Sequence, residues 1–239
     1  MSATIRLCLP FPSGGSPHPP RQVTVRSRPV AHVRTAALAT VAAVALSLVV
    51  APSPAGATPP NIPSHSTAVS RLGALTVAAE SHRSSYRRDL FPHWITITGT
   101  CNTREQVLKR DGSNVVVDAN CYPTSGSWYS PYDGVTRTNP AEISIDHVVP
   151  LAEAWRSGAW SWTTARRQTY ANDLGGPELW AVTGSVNSSK GDRDPAAWKP
   201  PRAAFHCTYA RAWIQVKWYY GLSVDSAEKS ALTGMLNTC

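Results

Sequence analysis

The stretch ISIDHVVPLAEAW at 143–155 is followed by YANDL at 170–174 and by ELWAVTGSVNSSKGDRDPAAWKPP at 178–201. It opens with an acid–imidazole pair, Asp146-His147, at the end of a short run of strand-forming residues. A carboxylate can hold a divalent cation, and an imidazole can take a proton from water. A side-chain amide oxygen at Asn187 suits the same hard cation. Neighbouring strand residues face opposite ways, so Asp146 and His147 converge only if the strand ends there, and Pro150 predicts that ending. Residues 179–183 read as a second strand, and 184–190 as a helix broken at Gly191. The expected unit is strand–strand–helix, with Asn187 brought beside Asp146.

Outward from this unit, apolar spacing predicts a helix over 67–79 and a strand over 94–98. Thr103 with Gln106 three positions on reads as a capping box for a helix ending near Arg110, where Asp111-Gly112 should turn the chain. Residues 115–117 and 127–129 form an expected β-hairpin, and Pro131-Tyr-Asp-Gly134 a turn. The strand before the acid–imidazole pair is expected over 142–146, and short helices over 150–157 and from a Thr163 or Thr164 cap to Ala171, with Asn172 and Asp173 ending the second. The strongest helical pattern covers 203–220, where Phe205, Tyr209, Ala212, Trp213, Val216 and Tyr220 share a face and Gly221 stops the helix. A last helix, capped by Asp225 or Ser226, runs to Cys239. Glu153 and Trp155 read as scaffold, His93 as a surface or packing residue, and Arg104 and Arg137 as ion-pair or nucleic-acid contacts.

Residues 1–57 read as an export signal with an over-extended start: a basic segment, an apolar run over 36–50, and an Ala55-Gly-Ala57 cleavage site. The apolar run is short for a membrane span, so no stable membrane insertion is expected after cleavage. Residues 58–66, rich in proline, read as a flexible linker, and 67–239 as the folded domain. All 15 acidic residues but only 18 of the 23 basic ones follow Ala57, so the exported part carries +3. That permits a polyanionic partner without demanding one; the local clusters Arg87-Arg88 and Arg166-Arg167 matter more. Cys8 falls in the leader, leaving Cys101, Cys121, Cys207 and Cys239. Four cysteines in an exported chain allow three disulfide pairings; closeness in sequence favours Cys101–Cys121 and Cys207–Cys239. A zinc site would need tighter spacing than this chain offers.

The run DHVVPLAEAW, with ANDL, AV, NSSKGD and DPAAWKP after it, resembles the HNH endonucleases, the ββα-metal nuclease superfamily. More closely it is similar to secreted actinobacterial HNH proteins akin to the C-terminal domain of GmrSD restriction enzymes. The resemblance covers roughly residues 86–239. It implies an α+β fold with a ββα-metal core, wrapped by additional helices and a small β-hairpin with two disulfides. It implies Asp146 and Asn187 as metal ligands and His147 as general base, with Lys190 and Asp192 in phosphate contact or loop support. The cofactor implied is one divalent ion, Mg2+ first, with Mn2+, Zn2+ or Ni2+ as further candidates. The substrate implied is DNA, with RNA also open, cut with little sequence preference. Oligomeric state is left open. The pattern departs from the family where a middle asparagine braces the loop carrying the base. Glu178 stands there, with Asn172 upstream, and Glu178 could brace through its carboxylate. That departure leaves a second reading: a catalytically weakened HNH-fold secreted protein that binds the cell wall or extracellular nucleic acid. The chain has no G-x-S-x-G and no H-E-x-x-H, which sets serine hydrolases and zincins aside.

Overall fold

The computed structural model describes residues 58–239, and the leader expected over 1–57 lies outside them. In chain order the regular elements are α1 (His65–Ala74), β1 (Thr96–Thr98), β2 (Cys101–Asn102), α2 (Thr103–Asp111), β3 (Gly112–Val117), β4 (Pro123–Tyr129), β5 (Thr136–Arg137) and β6 (Ile143–His147). Then follow α3 (Leu151–Arg156), α4 (Thr164–Ala171), β7 (Leu179–Thr183), α5 (Gly184–Lys190), α6 (His206–Tyr220) and α7 (Ser226–Leu236). The fold is α+β. Its sheets are small and antiparallel: β1–β2, β3–β4–β5 and the ribbon β6–β7.

The ribbon lies between two apolar layers, and its alternation sorts them. On one face Ile143 and Ile145 of β6 and Leu179 and Ala181 of β7 meet Val107 and Leu108 of α2 and Trp128 of β4. On the other, Trp180 and Val182 join the larger core built by α1, α3, α6 and α7. Period-two side-chain direction makes this two-sided burial automatic once the register is set. The α6 residues expected on one face, from Tyr209 to Tyr220, are all buried, and Gly221 ends the helix at φ 67°. A buried ion triad ties the helical layer together. Lys217 Nζ donates to Glu153 of α3 at 2.7 Å and to Glu228 of α7 at 2.8 Å. Glu153 thereby acts as scaffold. Both disulfides have the expected pairing, Cys101–Cys121 and Cys207–Cys239.

Several local expectations shift. Asn102 caps α2, with Glu105 answering in a reciprocal capping box, one residue ahead of the expected Thr103–Gln106 pair. An amide side chain accepts from the N3 amide as well as a hydroxyl does, so the box slides to the pair whose carboxylate can reach back. Gly112 opens β3 instead of turning the chain. A Cβ there would lie 2.5 Å from the Trp128 indole nitrogen, so the glycine is a contact requirement. The helix expected over 67–79 starts at His65 and ends at Ala74, because Val77 is drawn into a parallel bridge with Val224. The strand expected over 94–98 is only Thr96–Thr98, since Trp94 adopts φ 58°. Residues 58–66, expected as a flexible linker, dock. Pro59 and Pro63 are buried, Asn61 Nδ2 donates to the Gly175 carbonyl at 2.7 Å, and the Pro63 carbonyl accepts from Arg211 at 2.6 Å. Arg104 donates to the Pro140 and Ile143 carbonyls, and Arg137 pairs with Glu142. No helix among the described residues is long and apolar enough to cross a membrane.

Candidate functional site

β6 does not end before the acid–imidazole pair. Asp146 faces Trp180 and His147 faces Leu179 across a continuous register, so the two side chains leave the strand on opposite faces. Pro150 ends the extended run only after Val148, whose amide donates to the Glu178 carbonyl at 2.6 Å. The expected convergence of both side chains on one point is therefore replaced by a flanking arrangement. Asp146 and His147 line the same cleft of about 390 Å3, together with Asn187, Tyr86, Arg88 and Arg156.

Asp146 points into the helical layer. Both its oxygens accept from Lys190 Nζ at 2.7 Å, and Oδ2 also accepts from the Tyr132 hydroxyl at 2.7 Å. The third ammonium proton goes to the His147 carbonyl at 2.6 Å. Lys190 is fully buried, so its role is to lock α5 onto β6, and its ammonium does not reach solvent or a phosphate there. Burial raises the Asp146 carboxyl against the pull of Lys190, and burial lowers the Lys190 ammonium against the pull of Asp146. Desolvation thus works against both charges, and only direct contact keeps the pair ionised.

His147 points to the other face. Its Nε2 lies 3.0 Å from the Ala171 carbonyl. A carbonyl only accepts, so Nε2 carries the proton and Nδ1 of the neutral ring is a bare acceptor. Nδ1 has no partner among the described residues. Burial first, then the charges of Arg88 and Lys190, push the imidazole down to about 3, while the Ala171 contact opposes them. The Trp94 ring lies 5.5 Å away. A bulky residue with positive φ is uncommon and costs backbone strain; here it sets an indole against the imidazole.

Two residues brace this arrangement. Asn172 ends α4 and satisfies its whole amide. Oδ1 accepts from the Ile95 amide at 3.2 Å and the Thr103 hydroxyl at 2.7 Å; Nδ2 donates to the Pro92 and Gln168 carbonyls at 2.8 and 2.7 Å. It fixes the turn whose preceding carbonyl, that of Ala171, holds His147. Glu178, fully buried, braces the strand exit. Its Oε2 accepts from the Val149 amide at 3.2 Å, and burial raises its carboxyl well above the ordinary range. Asp192 follows Gly191, whose φ of 59° and ψ of −132° favour glycine. Its Oδ2 accepts from Arg156 Nη1 at 2.7 Å, and its carbonyl accepts from Nη2 at 2.8 Å. Burial raises the Asp192 carboxyl, and the Arg156 contacts outweigh it. Asp192 therefore anchors the loop after α5.

Asn187 is half-buried on α5, lines the cleft, and its amide has no partner among the described residues. The cleft's side-chain oxygen donors include Asn187, Asp146 and the Asp192 carboxylate, whose Oδ2 is already engaged by Arg156. Lys190 and Tyr132 use three of the four lone-pair directions of the Asp146 carboxylate, so one stays open. Were a hard cation held here, that lone pair and the Asn187 amide oxygen would serve it, with water or phosphate filling the rest. Among the described residues the three carboxylates able to converge on one ion are Glu80, Asp194 and Asp225, and none of them lines this cleft.

Sequence reasoning passed over Tyr132, placed in a turn, and Trp94, placed in a strand. Arg88 was visible only as half of a basic pair. The signal in each case was an aromatic or basic residue in an irregular segment, where spacing carries no direction.

The sequence model of the GmrSD restriction endonucleases' C-terminal domain matches residues 103–235. A protein of Arthroderma benhamiae named "Uncharacterized secreted protein" is 61% identical over 202 residues, covering 84% of this chain and 98% of that one. No solved structure matches.

Proposed function

The chain belongs to the family of GmrSD restriction endonuclease C-terminal domains, and from that premise we propose that it is an exported, divalent-metal-dependent nuclease that hydrolyses phosphodiester bonds in DNA. The observation that carries this reading is that His147, its Nε2 held by the Ala171 carbonyl and its Nδ1 without a partner among the described residues, lines one cleft with Asp146 and Asn187. Water gives its proton to Nδ1 while its oxygen adds to phosphorus; the P–O bond to the leaving sugar oxygen breaks, and that oxygen keeps the electron pair. Asp146 and Asn187 would hold the cation, which supplies charge neutralisation at the phosphate and the leaving oxygen. Lys190 keeps Asp146 ionised and aimed, and Asn172 and Glu178 keep the base from drifting. Little sequence preference goes with a substrate held by its backbone phosphate, which carries no sequence information. Export is supported by the leader-like sequence, by two disulfides that suit an oxidising compartment, and by the name of the Arthroderma relative.

A second reading is a binding protein on a weakened nuclease scaffold. It is favoured by one observation, the ammonium of Lys190 seated on the expected metal-ligand carboxylate. One experiment separates the two. Supercoiled plasmid is incubated with the residue 58–239 protein and Mg2+, Mn2+, Zn2+, Ni2+ or EDTA, alongside His147→Ala, with melting temperatures on the same samples. Cation-dependent nicking lost in a folded His147→Ala supports the nuclease, with a loss of about 10²–10⁴ in rate. Retained DNA binding with no nicking by the parent under any cation supports the second reading.

A further inference from the structure

Among the arginines of the cleft, two are committed. Arg156 is spent on Glu80, Glu153 and Asp192, and Arg83 pairs with Glu80. Arg88 is different. It is exposed, lines the cleft with His147 and Asn187, and has no carboxylate partner among the described residues. Its one contact is donation from Nε to His93 Nε2 at 3.4 Å. His93 can accept there because its Nδ1 lies 2.8 Å from the Phe91 carbonyl, which fixes the proton on Nδ1. The His93 ring meets Trp94 edge-on at 5.4 Å, and Trp94 lies 5.5 Å from the His147 ring. Arg88, His93, Trp94 and His147 thus form one connected row, whose two ends, Arg88 and His147, line the cleft. The charge of Arg88 reaches His147. A guanidinium kept by one nitrogen, with its four terminal N–H groups left over, is shaped for two oxygens of a phosphodiester.

We propose that Arg88, oriented by His93, is the residue that grips the phosphate beside His147. The inference rests on the nuclease reading for its substrate class. It gives His93 a positioning role where the sequence suggested only surface packing.

The test uses Arg88→Ala, Arg88→Lys and His93→Ala in the residue 58–239 protein. Each is measured for melting temperature, for plasmid nicking with Mg2+, and for binding of a fluorescein-labelled DNA duplex in EDTA across a series of NaCl concentrations. Because Arg88 is exposed, Arg88→Ala should melt with the parent. The slope of log K against log salt should fall by about 0.9, the worth of one phosphate contact on duplex DNA. Nicking kcat/KM should fall about 10²-fold, as when one preorganised donor is removed. Arg88→Lys should restore the salt slope but only part of the rate, since an ammonium lacks the fork. His93→Ala should keep the slope and lose a few-fold in kcat. A parent that nicks DNA while Arg88→Ala keeps both its rate and its slope overturns the assignment and leaves the nuclease reading standing. A parent that binds duplex but never nicks defeats the nuclease reading, and the slope alone then decides Arg88. A parent that does not bind duplex overturns the Arg88 proposal.

Discussion

Replacing Lys190 by methionine removes an ammonium that makes three contacts of 2.6–2.7 Å inside the protein. Methionine nearly conserves volume, so the cavity cost is small. The loss lies in Asp146, left buried at 4% exposure with Tyr132 as its remaining donor. An unpaired buried carboxylate costs about 3–5 kcal/mol. Protonation sets a ceiling on that cost: neutralising a carboxyl of pKa ~3.9 at pH 7 takes about 4 kcal/mol, and at pH 5 about 1.5 kcal/mol. The sign follows. The folded pKa of Asp146, already raised by burial in the parent, rises further in the variant because the opposition of Lys190 is gone. The folded state then holds the proton more tightly, so the variant is relatively most stable below pH 4 and loses ground as pH rises. Urea unfolding of parent and Lys190→Met between pH 5 and 7.5 should show a deficit growing by about 1.4 kcal/mol per pH unit. Asp146→Asn in the same background should recover much of it. A deficit that is flat with pH, or below about 1 kcal/mol at pH 7, would refute a buried ion pair at this position.

The same logic bears on Asp146 itself. Asp146→Ala strands a fully buried ammonium, so it should lower stability as well as activity; the melting temperature of the variant reads the first loss apart from the second. His147, pushed down to about 3, should stay neutral in the folded protein from pH 8 to 5, so plasmid nicking should not fall near pH 6.5 on its account. Its folded pKa is depressed, so stability is lost as pH falls from ~6.5 towards 3, by on the order of 4 kcal/mol at most, and His147→Gln should flatten that fall in urea titrations. Asn172→Ala breaks four hydrogen bonds around the base-holding turn; it should cost about 2–4 kcal/mol and lower kcat beyond what unfolding explains. The bridges close 20- and 32-residue separations, so reduction should remove about 3–4 kcal/mol for each in chemical denaturation.

Much of the scaffold could be read before any coordinates. The α6 face, the Asp225 cap, the β7–α5 boundary at Thr183–Gly184 and both disulfides follow from periodicity, capping chemistry and cysteine spacing, all local signals. What could not be read was direction. Whether Asp146 and His147 share a face depends on whether β6 continues, and that depends on a partner strand more than thirty residues on. Lys190, at the end of the helix expected over 184–190, gives no sign of its burial, because nothing nearby in sequence reveals that Asp146 and Tyr132 will enclose it. Residues 58–66 look unstructured by composition, yet hydrogen bonds with the distant Gly175 and Arg211 and the burial of Pro59 and Pro63 hold them.

Three of the four bonds of Asn172 join residues 69–80 positions apart in the chain. Contacts that close such long stretches are costly in chain entropy and form late. The imidazole that Asn172 indirectly steadies is therefore expected to be set late in folding. During refolding, far-ultraviolet ellipticity should return before nicking does. A half-folded chain would carry helices and a ribbon without the fixed turn whose Ala171 carbonyl holds His147.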